Sequence, residues 1–395
     1  MSNTTTPAPE TGKKEKKSSS IWQELLVPVL AVVTGLILGA IVIVMSGENP
    51  FRAYGALFAG SFGSPVDFFE GIRIYFTTGE TAALIKAIYP FTESLVTATP
   101  YIFAGLSVAI GFRCGLFNIG AEGQFFIGAL SSAFVGYSIK GLPMIIHLPL
   151  AISAGILGGA LWGMIPGYLK ARFGAHEVVN TIMMNWIAFR LSDWLLNGPM
   201  KASGFRPVTP NVEASAELPR FFSDPLRFNL GFFLALLAAY LVYWFLFKTT
   251  LGFEIRSVGA NPDAAKYAGM NIIRNFVLVM FISGGLAGMA GASQVLGVDH
   301  WVGQGFSAGY GFDAIALALL GKSHPAGVVL AALLFGFLRS GATDMQSMAR
   351  IPVDIISIVQ GMIIVFIAAP DIIRWFYRIR TAKKEETVLT RGWGS

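Results

Sequence analysis

Long apolar runs separated by short polar links dominate the chain. Ten of them, at about 26–46, 94–112, 117–138, 147–167, 177–197, 229–248, 273–297, 305–320, 325–340 and 353–372, approach the length a helix needs to cross a bilayer. The pattern predicts an all-α, polytopic membrane protein with a single transmembrane unit over residues 21–375. Residues 1–20 are Thr, Pro, Ser and Lys with little to bury, so they predict a disordered tail, and residues 376–395 predict a second, basic tail. Two long outer segments follow spans one and five. NPFRAYGALFAGSFGSP at 49–65, in the first of them, suits a short amphipathic helix along the interface. The single long inner segment runs over 249–272.

Composition supports the membrane reading. The 395 residues are 54% hydrophobic and only 13% charged, against roughly 25% charged in soluble domains. The formal net charge of +6 would suggest nucleic acid in a soluble chain. Here it is better explained by cations at cytoplasmic helix ends. Lys13, Lys14, Lys16 and Lys17 precede span one, Arg113, Lys170, Arg172, Lys248, Arg274 and Lys322 lie in inner links, and Arg374 to Lys384 follow span ten. This bias predicts that both termini are cytoplasmic and that no nucleic acid is bound.

The polar residues inside the spans are the candidates for function. Gly115 to Leu130, GLFNIGAEGQFFIGAL, places Asn118, Glu122 and Gln124 between apolar runs. A carboxylate at that depth costs about 2.5–3.5 kcal/mol unless it faces protein or water. The glycines around it predict a helix broken or tightly packed at its start, lining a polar path. The alternative is that Glu122 only caps a helix N-terminus. Asn180 and Asn185 in span five join the candidate path. A faint echo aligns AEGQFFIGAL at 121–130 with GYGFDAIALA at 309–318, and GILGGALWG with AGVVLAALLFG at 326–336. Five spans separate each pair, so the partners run in opposite directions, as an inverted repeat requires. The echo adds Asp313, either as a second acid at the midplane or as a neutral side chain packed against span nine. Gly155, Gly159 and Gly163 in span four and Gly284 and Gly288 in span seven predict close helix packing.

The inner segment predicts a polar helix from Asn261 to Met270, with Asn261 as cap and Pro262 in the first turn. Glu254, Arg256, Asp263 and Lys266 would orient it. Ala264, Ala265, Tyr267 and Ala268 would make close contact with a groove on a cytoplasmic partner, and Gly269 joins the coupling residues. The alternative is a solvated connection between two halves. Other motifs carry less. GKS at 321–323 lacks the first phosphate-loop glycine, which would fall at Ala316. The four histidines have no metal-ligand spacing, and lone Cys114 reads as a packing residue. No enzyme, metal or cofactor is expected in this chain.

GLFNIGAEGQ at 115–124, EVVNTIMMNWIA at 177–188, GFEIRSVGANPDAAKYAGMNI at 252–272 and NPFRAYGALFAGSFGS at 49–64 resemble permeases of bacterial ABC importers. The class is that of ribose, simple sugars and branched-chain amino acids, and the nucleoside (purine riboside) branch is the most similar. The resemblance implies a type II importer fold of about ten helices with related halves in the bacterial plasma membrane. It also implies three partners: a sister permease, a cytoplasmic ATPase with two fused nucleotide-binding domains that carries ATP and Mg, and an extracytoplasmic binding lipoprotein. The 254–270 segment matches the coupling helix of that class. A simple-sugar permease and an ion-coupled secondary transporter remain the alternatives.

Overall fold

A main chain inside hydrocarbon must satisfy its own hydrogen bonds, and these apolar runs do so as helices. The computed structural model describes residues 19–307, 309–349 and 353–378. The tails expected at 1–20 and 376–395 lie almost wholly outside these residues. In chain order the helices are α1 (Ser19–Met45), α2 (Pro50–Phe62), α3 (Pro65–Thr78), α4 (Ala82–Arg113), α5 (Ala121–Ser138), α6 (Met144–Phe173), α7 (Glu177–Asn197) and α8 (Gly231–Lys248). They continue with α9 (Thr250–Ala260), α10 (Pro262–Tyr267), α11 (Ile272–Gln294), α12 (Tyr310–Leu320), α13 (Pro325–Ala349), α14 (Val353–Ala368) and α15 (Pro370–Phe376). Among the described residues five helices are long and apolar enough to cross a membrane: α4, α6, α8, α11 with its terminal π turn, and α13.

α4 is the central helix, and its middle section from Ala98 to Gly111 is buried without interruption. It packs on α13, while α6 packs on α11, and α5 and α12 fill the angles between these pairs. The α6–α11 crossing is close because the predicted glycines meet there. A Cβ on Gly159 would run into the Gly284 carbonyl, and one on Gly155 would meet Ala292 and the Gly128 carbonyl.

Four stretches differ from the sequence reading. The run at 94–112 is the end of a 32-residue helix that begins at Ala82. The segment at 49–65 does not simply lie on the interface, because α2 buries Ala53, Leu57, Gly60 and Ser61 against α13. The run expected at 305–320 yields only the 11 residues of α12, about 16 Å of helix, roughly half a bilayer core. Gly305 and Gly309 take positive φ of 67° and 88° and hold the preceding chain in turns. The inner segment expected as a loop with one helix instead forms two. Thr249 Oγ1 caps α9 by accepting from Gly252 N at 3.0 Å, and Asn261 Oδ1 caps α10 by accepting from Asp263 N and Ala264 N.

Candidate functional site

The chain between α4 and α5 turns back on itself. Cys114 N and Leu116 N both donate to Gly111 O, and Gly115 takes φ +75° against Gly259 of α9. A reciprocal amide pair then fixes the turn. Asn118 Nδ2 donates to Gln124 Oε1 at 2.9 Å, and Gln124 Nε2 donates back to Asn118 Oδ1 at 3.2 Å. Asn118 also donates to Ser283 Oγ on α11, and Asn185 of α7 closes the other side by accepting from Gly123 N and donating to Ile119 O. Glu122 Oε2 accepts from Gly311 N at 2.6 Å. The acid therefore sits on the N-terminus of α12, where the helix dipole favours negative charge.

The structure thus brings Asn118, Glu122, Gln124 and Asn185 together, all at most 3% exposed. Their hydrogen-bonding groups are turned inward and hold the break between α4 and α5. Capping by Glu122 is realised, but on a helix distant in sequence. Asn180 stands apart near the start of α7, and its buried Nδ2 has no hydrogen-bond partner among the described residues.

Asp313 belongs to a second cluster, on α4, α12 and α13. Tyr101 Oη donates to Asp313 Oδ2 at 2.8 Å and accepts from Arg339 Nη1 at 2.7 Å. The Arg339 guanidinium lies 3.4 Å from the same carboxylate oxygen and 5.3 Å from the Tyr310 ring centre. The two tyrosines meet edge to face at 4.7 Å. Tyr101 is fully buried and Tyr310 nearly so, whereas the Asp313 and Arg339 side chains remain 30% and 31% exposed. Asp313 and Arg339 therefore give the cluster a partly exposed polar edge, while the Tyr101 hydroxyl is spent on hydrogen bonds inside it. Sequence reasoning missed Tyr101, Tyr310 and Arg339. An arginine at the end of the apolar run of α13 was the signal for the last, because a charge at the edge of a span seeks a partner or water.

The residues expected to couple divide in two. Glu254 accepts from Asn275 Nδ2 at 3.1 Å and from Arg274 Nη2 at 2.8 Å, and the Asn275 bond and then Arg274 hold its carboxyl below the ordinary glutamate value. Arg256 Nε donates to Leu246 O. These two fasten α9 to α11 and α8. Asn261, Asp263, Ala264, Lys266 and Gly269 face outward, and only Ala265 is buried. The N–H groups of Gly321, Lys322 and Ser323 donate to the carbonyls of Leu317, Leu319 and Ala318, which leaves none of them to cradle a phosphate. No grouping of His, Cys, Asp and Glu among the described residues could hold a metal ion.

Residues 91–368 match the family model described as branched-chain amino acid transport system / permease component. The guanosine ABC transporter permease protein NupP of Bacillus subtilis is 41% identical over 89% of this chain and 95% of its own. The nucleoside permease protein NupB of Lactococcus lactis is 35% identical over 94% and 98%. The glucose permease protein TsgB13 of Haloferax volcanii is 31% identical over 93% of each chain. No solved structure matches the chain. With its several membrane-spanning helices, the chain belongs to the family of branched-chain amino acid transport system permease components and is a multi-pass membrane permease.

Proposed function

We propose that the chain is the membrane-spanning subunit of an ATP-driven importer that passes nucleosides from an extracytoplasmic binding lipoprotein to the cytoplasm. The observation that carries this reading is the 41% identity to a guanosine permease along nearly the whole chain. ATP and Mg act on a separate cytoplasmic ATPase with two fused nucleotide-binding domains. A sister permease completes the pore, as the second nucleoside permease of Lactococcus lactis suggests by its weaker 31% identity. The chain sits in the bacterial plasma membrane with both termini inside, as ten spans within residues 21–375. Packing supports two inverted halves. If α4, α5 and α6 correspond to α11, α12 and α13, the α4–α13 pair becomes the α6–α11 pair, and Ser107 and Ser283, 3.0 Å apart, lie across the exchange.

In the mechanism, ATP-driven closure of the ATPase moves α10 and α9, and the two halves rock about the close glycine crossing of α6 and α11. Asp313 and Arg339, held in place by the two buried tyrosines, contact the passing solute, whose ribose hydroxyls suit a carboxylate and a guanidinium. Asn118, Glu122, Gln124 and Asn185 keep the broken segment in shape, and Asn180 stands at the inner end of the path. The test is uptake of labelled guanosine in cells that lack the gene and in cells that regain it. Restoration that competing adenosine suppresses and excess glucose does not would support the reading. Suppression by glucose would favour a sugar permease, which the likeness to the Haloferax protein makes the second reading. Uptake that an uncoupler abolishes at constant ATP would point to an ion-coupled carrier.

A further inference from the structure

Two arginines meet over one aromatic ring on the α9 side of the membrane. The guanidinium carbon of Arg113, at the end of α4, lies 5.4 Å from the centre of the Phe247 ring, and that of Arg256, on α9, lies 5.1 Å from it. Main-chain carbonyls hold both in place. Arg113 Nε donates to Ser323 O at 2.8 Å and its Nη2 to Lys322 O, while Arg256 Nε donates to Leu246 O at 3.0 Å. Among the described residues no carboxylate lies within salt-bridge distance of either guanidinium. Their like charges repel, so the arrangement is one that an anion would relieve.

The surroundings identify the anion. α8 exposes Phe233, Leu236, Leu237, Tyr240 and Leu241, and this apolar face ends at the exposed rings of Tyr243 and Trp244. An apolar face closed by Tyr and Trp marks the depth of lipid headgroups. Basic pockets between helices at that depth hold anionic lipids. A free anion would have no use for the adjoining apolar face.

We infer that Arg113 and Arg256, arranged around Phe247, bind the phosphate of an anionic phospholipid whose acyl chains lie along the outer face of α8. The bound headgroup ties α9 to the ends of α4 and α8, at the root of the segment that carries the exposed α10. The inference does not depend on which solute the permease carries.

His324 offers a reporter beside the site. Its ring lies 5.5 Å from Phe247 and 5.8 Å from Tyr243, and burial, then the Arg113 charge, hold it below the ordinary histidine value. A phosphate on Arg113 cancels the second effect and raises it.

The experiment uses the full chain, purified in detergent, with phosphatidylglycerol and phosphatidylcholine supplied in equal amounts. Retained lipid is counted by native mass spectrometry. The wild type should favour phosphatidylglycerol by about fivefold per arginine, roughly twenty-five-fold for the pair. The R113Q/R256Q variant should approach parity, and K140Q, in the link between α5 and α6, should keep the preference. No preference in the wild type, or an unchanged one in R113Q/R256Q, overturns the inference. Should that variant fail to fold, histidine NMR on the wild type decides, with the signal assigned through H324Q. Phosphatidylglycerol must raise the His324 titration point while phosphatidylcholine leaves it in place. An unmoved His324 overturns the inference. So does an equal shift from inorganic phosphate, which would assign the site to a free anion. A cationic pair that phosphatidylglycerol leaves unprotected from arginine-directed modification, but an added cytoplasmic partner protects, would belong to a protein interface and also overturn it.

Discussion

Glu122 Oε2 and Gly311 N lie 2.6 Å apart, so one acid at the start of α5 terminates the backbone of α12, 189 positions away in sequence. The contact needs glycine at 311, because a Cβ there would collide with the main chain of Glu122. G311A should therefore damage the fold as much as loss of the acid does. E122Q keeps an oxygen acceptor and should melt close to the wild type, whereas E122A strands the α12 N–H at a cost of about 1–3 kcal/mol. Thermal melting of the purified chain, read beside guanosine uptake, separates the two cases. If E122A melts like the wild type, the contact carries no weight.

The Asp313 cluster predicts a different pattern. R339Q leaves Asp313 with the Tyr101 hydroxyl but without its cation. Removing one partner of a fully buried pair costs about 3–5 kcal/mol, and these side chains are about 30% exposed, so the effect on stability should be smaller. Transport should fall in R339Q and D313N alike, because both remove a group from the open side of the site. The R339Q/D313N double variant should regain stability over R339Q but not uptake. Melting curves and uptake normalised to membrane-inserted protein would show the split. Recovery of both together would make the cluster purely structural.

Much of this architecture could be read from residues alone, and the reason is periodicity and cost. Apolar runs announce helices, Glu122 stands out because charge is expensive in hydrocarbon, and Asp313 is reached only through the faint echo of the Glu122 stretch. The glycines of α6 and α11 were legible because their spacing repeats along one helix face. What escaped is what depends on contacts between distant segments. Nothing local tells that Gly311 will meet Glu122, or that Tyr101 will bridge Asp313 and Arg339. The run at 305–320 reads as one span despite Asp313, and the left-handed turns at Gly305 and Gly309 precede a helix of only 11 residues. Tyr310 looks like an ordinary membrane aromatic until the guanidinium of Arg339 lies over it.

The exposed face of α10 makes a prediction about coupling. Asn261 satisfies two N–H groups at the start of this six-residue helix, and N261A should cost about 1 kcal/mol locally. Melting of the whole chain should hardly move, because α10 buries only Ala265. Uptake should fall sharply if α10 seats on the ATPase. A264C should form a disulfide with a cysteine in the matching cleft of the partner, and its yield should fall in the N261A background. Cross-linking that ignores the cap would place the partner elsewhere.

Glu254 gives the acid dependence of the same region. Its bonds to Asn275 and Arg274 favour the carboxylate, so its folded value lies below the ordinary one. For a group shifted in that direction, the unfolded state binds the proton more readily, and the stabilisation is fully present above the ordinary glutamate value. It is lost as pH falls through the lowered value. At neutral pH the anchor between α9 and α11 is intact, and acidification past the usual carboxylate range should release it. Amide exchange in α9 should therefore accelerate in a step on the acid side of that range. E254Q, which keeps the shape but cannot hold the charge, should exchange faster at neutral pH and show no step. A wild-type exchange rate that is flat across the acid range, or an unchanged step in E254Q, would mean that α9 is held by other contacts.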